Sequence, residues 1–447
     1  MQRTSTKKIL HITPHFGAGV GAVILPYLSK MRNNPLAIHR VVCLDYANHH
    51  ALVVAKEAGF ALHDNMSKKK SEILGLIAAS DIVLVHWWNH PLLYDFLVRE
   101  KLPPSRIIFW SHISGFPPPN NFTAKALMYP DVFVFTTPLS REVAEVERLS
   151  DERKKYLRYV WSTGGVDRVL SIERNKHSGF IVGYIGNVDY AKMHPDFLDI
   201  CDKVRIPNVK FVVVGGPNGA LFQGEAERRG IGNKFHFTGF VSEEEKWGHL
   251  ATFDIFGYPL APHHYGSCDQ VLQEVMAAGV VPVVLSNPME RYMVEDGITG
   301  VVAKNTDEYA DALQNLYHNA QLRDVLSKNA KQYAMQTFSL EKMAQEWEVI
   351  LDEVMNIPKT VKKWDINKKS EDITPKDIFL EALGSHGEVF TAYCDAKNDR
   401  EREVAAEKIK EVAVSANWKS KTKGTVHQYS SFFPDDALLS LWSALMK

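Results

Sequence analysis

Three strings in this 447-residue chain put reactive or ligand-binding residue types at spacings a site requires. After a short apolar run at 8–13, the string Pro14-His-Phe-Gly-Ala-Gly-Val-Gly-Ala-Val23 sets glycines at 17, 19 and 21 ahead of a helix. Without side chains at Gly17, Gly19 and Gly21, backbone N–H groups can approach an anion or a sugar at the helix N-terminus. Read literally, Gly17-x-Gly19-x-x-Ala22 matches the dinucleotide fingerprint, and Asp45 follows the second strand where a ribose-binding acid stands. That reading makes the chain an NAD-dependent oxidoreductase. Pro14, His15 and Phe16 count against it, because the fingerprint has its first glycine directly at the turn. A plain tight turn is the remaining alternative.

The second string runs His264-Tyr-Gly-Ser-Cys-Asp-Gln-Val-Leu-Gln-Glu274 and continues into an apolar strand ending at Val284. Gly266, Ser267 and the helix start formed by Cys268, Asp269, Gln270 and Val271 would present N–H groups to a phosphate. Glu274, inside that helix, can accept two hydrogen bonds from a ribose diol, each worth roughly 1.5–3 kcal/mol when one partner is charged. Zinc held by His263, His264 and Cys268 lacks the second ligand pair of a closed site. The third string, His86-Trp-Trp-Asn-His90, places His86, Trp87 and Trp88 as an aromatic rim at a strand end, where open α/β sheets bind ligands. Metal binding by His86 and His90 needs a helix, and the stretch reads as strand and loop. Pro117, Pro118 and Pro119 with Asn120 and Asn121 form a stiff polar loop, either a spacer or a wall on the acceptor side.

Strands must position these strings. Apolar β-branched runs at 8–13, 40–44, 81–86, 106–111, 131–136 and 159–161 alternate with helical stretches. The rhythm restarts at 180–185 and continues at 210–214, 234–238, 255–259, 281–285 and 300–302. This predicts an α/β chain of two Rossmann-like, doubly wound domains, 1–172 and 173–356. The second is closed by a helix capped at Ser339 with Leu340, Met343, Ala344, Trp347, Ile350, Leu351 and Val354 on one stripe. Residues 357–370 read as a lysine-rich linker, and 371–447 as a helical extension with its own amphipathic helix at 437–446.

Lys and Arg total 52 against 53 Asp and Glu, a net charge of -1, so no basic field points to nucleic acid. Hydrophobic residues at 45% and charged ones at 23% describe a globular protein. Four scattered cysteines argue against a disulfide framework, and the start of the chain, with Arg3, Lys7 and Lys8, has no signal-peptide apolar run. The expectation is a cytoplasmic protein. Peripheral contact with the inner face of the membrane is the alternative offered by Lys68, Lys69 and Lys70 and by the last helix.

Over about residues 8–356 the chain resembles the retaining glycosyltransferases of family 4. The likeness rests on Gly183-Tyr-Ile-Gly-Asn-Val-Asp-Tyr-Ala-Lys192, Val212-Val-Val-Gly-Gly216, Thr238-Gly-Phe-Val241 and the Glu274 string, in the family's order and spacing. It implies a GT-B architecture with a central cleft, and transfer of a sugar from a nucleotide-sugar to a glycan, lipid-linked or small-molecule hydroxyl. It further implies retention of configuration with no cofactor and no metal. Residue by residue it implies donor contacts at Asn187, Lys192, Gly239, Phe240 and Val241, and catalytic roles for His112, Lys192 and Glu274, with His112 on the acceptor side facing the donor sugar. Gly266 replaces the family's first Glu, and Asn187 replaces its Arg. Either another cation, Arg291, compensates, or the site binds its donor differently, or activity is lost. These departures keep a catalytically inactive GT-B binding module open, beside a nucleotide-sugar epimerase.

Overall fold

The computed structural model describes residues 6–262 and 264–447. Apolar runs between helices fold as parallel strands buried on both faces, the usual fate of continuous Val/Ile/Leu-rich segments. The chain divides into two units, Met1–Gly164 with Met343–Lys447, and Gly165–Lys342.

In the first unit the strands are β1 (Lys7–Thr13), β2 (Ala37–Cys43), β3 (Ala61–His63), β4 (Ile82–Trp87), β5 (Leu102–Ser105), β6 (Ile107–Ser111), β7 (Val132–Phe135) and β8 (Leu157–Tyr159). Seven of them form one sheet in the order β3-β2-β1-β4-β6-β7-β8, and every pairing is parallel. The order reverses direction between β1 and β4, and ligands of open α/β sheets bind at the carboxyl ends beside such a switch point.

The second unit holds β9 (Phe180–Ile185), β10 (Val209–Val214), β11 (Phe235–Gly239), β12 (Ile255–Tyr258), β13 (Val281–Leu285) and β14 (Val301–Ala303). Their order is β11-β10-β9-β12-β13-β14, with the switch between β9 and β12.

Three expectations are corrected at the C-terminal end. The helix Leu340–Met355 buries the expected stripe, but it packs in the first unit. Trp347 lies 4.8 Å from Trp110, Glu348 accepts a hydrogen bond from Asn34, and Asp352 pairs with Lys7. The segment read as a linker contains β15 (Thr360–Lys362), which pairs antiparallel with β5. Its Lys362 reaches Asp131 at 2.6 Å, and Trp364, fully buried, meets Tyr94 edge-on and Tyr129 at a tilt.

Nor is 371–447 a separate appendage. Its helices Pro375–Leu383, Glu388–Asp395, Asp399–Val412, Val426–Phe432 and Ala437–Leu445 bury Phe379, Phe390, Tyr429 and Trp442 in one core with Trp87, Tyr94 and Phe109. Trp442 lies 5.1 Å from Phe390 and 6.2 Å from Phe379. Among the described residues no helix is long and apolar enough to cross a membrane.

Candidate functional site

In the second unit the loops after β9, β10 and β11 are knitted together at one edge of the sheet. Gly186 N–H donates to Val214, Val188 N–H to Gly216, and Gly215 N–H to Gly239. The approach is so close that a Cβ on Gly215, whose φ is +131°, would lie 2.0 Å from the Gly186 carbonyl oxygen, so only glycine fits. Phe240 is exposed, its ring covering Gly216. Gly239, Phe240 and Val241 therefore adjoin the loop that carries Asn187.

Lys192 follows β9, and its ammonium meets Asp269 Oδ2 at 2.8 Å with Tyr258 Oη donating to the same oxygen at 2.7 Å. The other carboxylate oxygen caps the helix Gln270–Ala277 by accepting from Val271 N–H. Burial works to lift the Asp269 carboxyl, but the Lys192 charge and the hydrogen bonds from Lys192 and Tyr258 outweigh it and hold it below the usual range. Burial likewise works against the Lys192 ammonium and is outweighed by Asp269, so its pKa is raised. Asp269 is thus a buried counter-ion and helix cap. Of the N–H groups expected to face phosphate, that of Val271 is already taken.

Glu274 lies in the second turn of the same helix and is buried. Its carboxylate is held by Arg168 at 3.2 Å and Lys246 at 2.9 Å, while Arg168 also pairs with Glu243 and lies over the Trp247 ring. A carboxylate has about four acceptor positions, so two cations leave capacity for a diol. Asn187 Nδ2 donates to the Tyr265 hydroxyl at 2.5 Å.

The glycine at 266 has a local cause. His264 Nδ1 accepts from Gly266 N–H at 3.0 Å, which puts the ring proton on Nε2, facing the fully buried Glu290 at 3.2 Å. A Cβ at 266 would lie 2.8 Å from that ring. Ser267 and Cys268 complete the loop, with Cys268 Sγ accepting from Gln273. Arg291 is exposed on the helix Glu290–Met293. His263 lies outside the described residues, among which no three His, Cys, Asp or Glu side chains are grouped to hold a metal ion.

In the first unit Gly17 caps the helix Ala18–Met31. A Cβ on Gly17 would lie 2.9 Å from Asn48 Nδ2, whereas one at Gly19 meets open space and one at Gly21 makes ordinary contacts. Close packing thus explains Gly17 but not Gly19 or Gly21.

Beside that turn, at the carboxyl ends of β1, β4 and β6, an aromatic cluster forms. His15 stacks on Tyr46 at 5.5 Å and meets Trp88 edge-on at 5.1 Å. His112, half-buried, contacts Trp110, Trp88 and His86. Trp87 is corrected. Strand alternation turns it to the opposite face, where it is fully buried with Phe122 and Phe133, so it cannot be part of a rim. His90 Nδ1 accepts from Leu92 N–H as the cap of the helix Pro91–Arg99, and its ring meets Phe432 at 5.1 Å.

The C-terminal segment also holds the loops around this cluster. Asn89 Nδ2 donates to the carbonyls of Asn121 and Ala382, and Asn121 Nδ2 to that of Leu383. Arg168, Lys246, Tyr258, Tyr265 and Glu290 in the second unit, and His11 and His39 in the first, escaped the sequence reading. His11 had a visible signal, a polar ring inside an apolar strand run. The others had none, since Arg168 and Glu274 stand 106 residues apart.

Residues 169–333 match the sequence model of the family described as Glycosyl transferases group 1. No curated protein sequence matches the chain. Among solved structures, HepE of Anabaena in complex with UDP-glucose is 14% identical at a TM-score of 0.59, over 78% of this chain and 100% of HepE. A glycosyltransferase from Rickettsia africae ESF-5 is 11% identical at 0.62, over 79% and 99%. The sucrose-phosphate synthase of Thermosynechococcus elongatus is 14% identical at 0.58, over 78% and 99%. Such likenesses speak for the fold, and the fold is that of the GT-B glycosyltransferases, two Rossmann-like domains, with a helical C-terminal region.

Proposed function

We propose that the protein transfers a sugar from a nucleotide-sugar of the uridine diphosphate type to a hydroxyl group of a glycan, lipid-linked or small-molecule acceptor. The observation that carries this reading is the family match over 169–333, the segment whose sheet edge gathers Lys192, Glu274 and the knitted loops. HepE, solved with UDP, with UDP and glucose, and with UDP-glucose, supports the choice of nucleotide. In this reading Glu274 takes the ribose diol, and the N–H groups around Gly266 and Ser267 face the diphosphate. Lys192 has three ammonium donors, of which Asp269 takes one, and it stabilises the charge that grows on the leaving diphosphate. Transfer proceeds with retention and without a metal ion. The departing diphosphate takes the acceptor proton on the face it leaves, so no strong general base is needed. On the first unit, His112, Trp88 and the His15–Tyr46 pair form the acceptor side, where aromatic faces suit sugar rings.

Thermal shift against UDP-, GDP-, ADP- and CMP-sugars tests the donor. A ligand at 100 times its Kd stabilises the fold by about 2.7 kcal/mol, and a UDP-sugar is expected to give the largest shift. No response to any of them defeats the reading. Turnover of the donor without acceptor marks an epimerase, and binding without turnover marks an inactive module. Glu274→Gln is expected to weaken donor binding at least tenfold, the equivalent of about 1.4 kcal/mol, in keeping with the loss of a charged hydrogen bond. Titration calorimetry with UDP checks it, and unchanged affinity removes Glu274 from the site.

A further inference from the structure

β1, β2 and β4 each carry one histidine, His11, His39 and His86. With His112, just past β6, these rings form one hydrogen-bonded file across the sheet. His39 Nδ1 meets His11 Nε2 at 2.8 Å, His11 Nδ1 meets His86 Nε2 at 3.0 Å, and His86 Nδ1 meets His112 Nε2 at 3.0 Å. The last three rings are stacked, at interplanar angles of 14° and 22°. Burial keeps all four neutral. It lowers His39 to about 4, lowers His112 to about 3 with help from His15, and holds His11 and His86 well below their ordinary value.

A neutral imidazole has one N–H and one bare nitrogen. Each contact in the file needs one proton between two nitrogens, so all the N–H groups must point the same way, and the direction of one fixes the rest. At the far end His39 Nε2 is buried with no hydrogen-bond partner. Buried donors are left unpaired more rarely than buried acceptors, so the bare nitrogen belongs at that end and the N–H groups run from His39 towards His112. His112 then accepts at Nε2 and carries its own proton on Nδ1.

We propose that His39, His11 and His86 are positioning residues that hold His112 as its Nδ1–H tautomer, a donor and not a base. The form is the less common one for a free imidazole in water, which makes it a specific readout. What that donor does for the reaction rests on the role given to His112 above.

The test uses the full chain labelled with nitrogen-15 histidine, with the His112 signals assigned through His112→Gln. Two-bond proton–nitrogen spectra show which ring nitrogen carries the proton. The wild type is expected to show Nδ1–H at His112. His39→Asp puts an obligatory acceptor at the far end and is expected to reverse the file, moving the His112 proton to Nε2. His39→Phe leaves a bare nitrogen on His11 and is expected to keep Nδ1–H. A purely structural file moves the melting temperature of both His39 variants and leaves His112 unchanged in both. That result overturns the proposal, as does Nε2–H at His112 in the wild type. Should His39→Asp not fold, His86→Phe removes the direct donor and is expected to lose the Nδ1–H signal, and its persistence overturns the proposal equally. These spectra need no substrate.

Discussion

Truncation after Lys359 is expected to abolish folding of the first unit. The segment removed carries Trp364, Phe379, Phe390, Trp418, Tyr429 and Trp442, all buried in the core that Trp87, Phe109 and Phe133 share. Loss of a single buried aromatic side chain costs about 3–5 kcal/mol, and a domain's whole stability is only about 5–15 kcal/mol. Removing six such groups exceeds that margin, and the apolar face left behind would aggregate. Trp442→Ala isolates one contribution: a loss of about 3–5 kcal/mol, read as a melting temperature lower by roughly ten degrees. A truncated chain that stays soluble and melts like the intact one would contradict this account.

The second large effect is expected at Lys192 and Asp269, whose side chains are only 12% and 4% exposed. Breaking a buried pair by removing one partner costs about 3–5 kcal/mol, because the other charge is left stranded. Lys192→Met and Asp269→Asn are each expected to lose that much, and the double variant to regain a large part of it. Asp269 also caps the helix Gln270–Ala277, so the double variant should fall short of the wild type. Independence of the two sites, with fully additive losses in denaturant melts, would rule the pair out.

The same pair has a pH signature. The Asp269 pKa is lower folded than unfolded, so its stabilisation is present above the unfolded value of about 3.9 and disappears as pH falls through the folded one. The Lys192 pKa is raised, so its share is complete below about 10.4 and disappears as pH rises through the folded value. Asp269→Asn should flatten the acid limb.

The strands were legible because a parallel sheet covered on both faces leaves uninterrupted β-branched runs. Phe180–Ile185 and Val281–Leu285 are found as read. β5 was not legible, since Leu-Pro-Pro-Ser carries two residues that disfavour strands, and its partner β15 sits in a segment whose lysines suggest solvent. Lys362 and Lys368 in fact reach Asp131 and Asp377. The loop glycines and Glu274 could be read because backbone approach and a helical carboxylate have local spacing. The partners of these side chains, Arg168 and Lys246 on Glu274, Tyr258 on Asp269 and Glu290 on His264, come from elements whose adjacency is created by the fold. Trp87 was misread because two adjacent tryptophans on a strand must face opposite ways.

The first unit is discontinuous: its sheet lies in Met1–Gly164, its remaining core in Met343–Lys447, and the second unit occupies the chain between. The order in which a ribosome delivers these pieces follows from that arrangement. Synthesis proceeds at about 5–20 residues per second, so β1 to β8 emerge on the order of ten seconds or more before the helices that cover Trp87 and Tyr94. The second unit is contiguous and can close as soon as its last helix clears the exit tunnel. Until then the first sheet must wait with an apolar face uncovered, which makes the nascent chain, and not the finished protein, the form most dependent on chaperones.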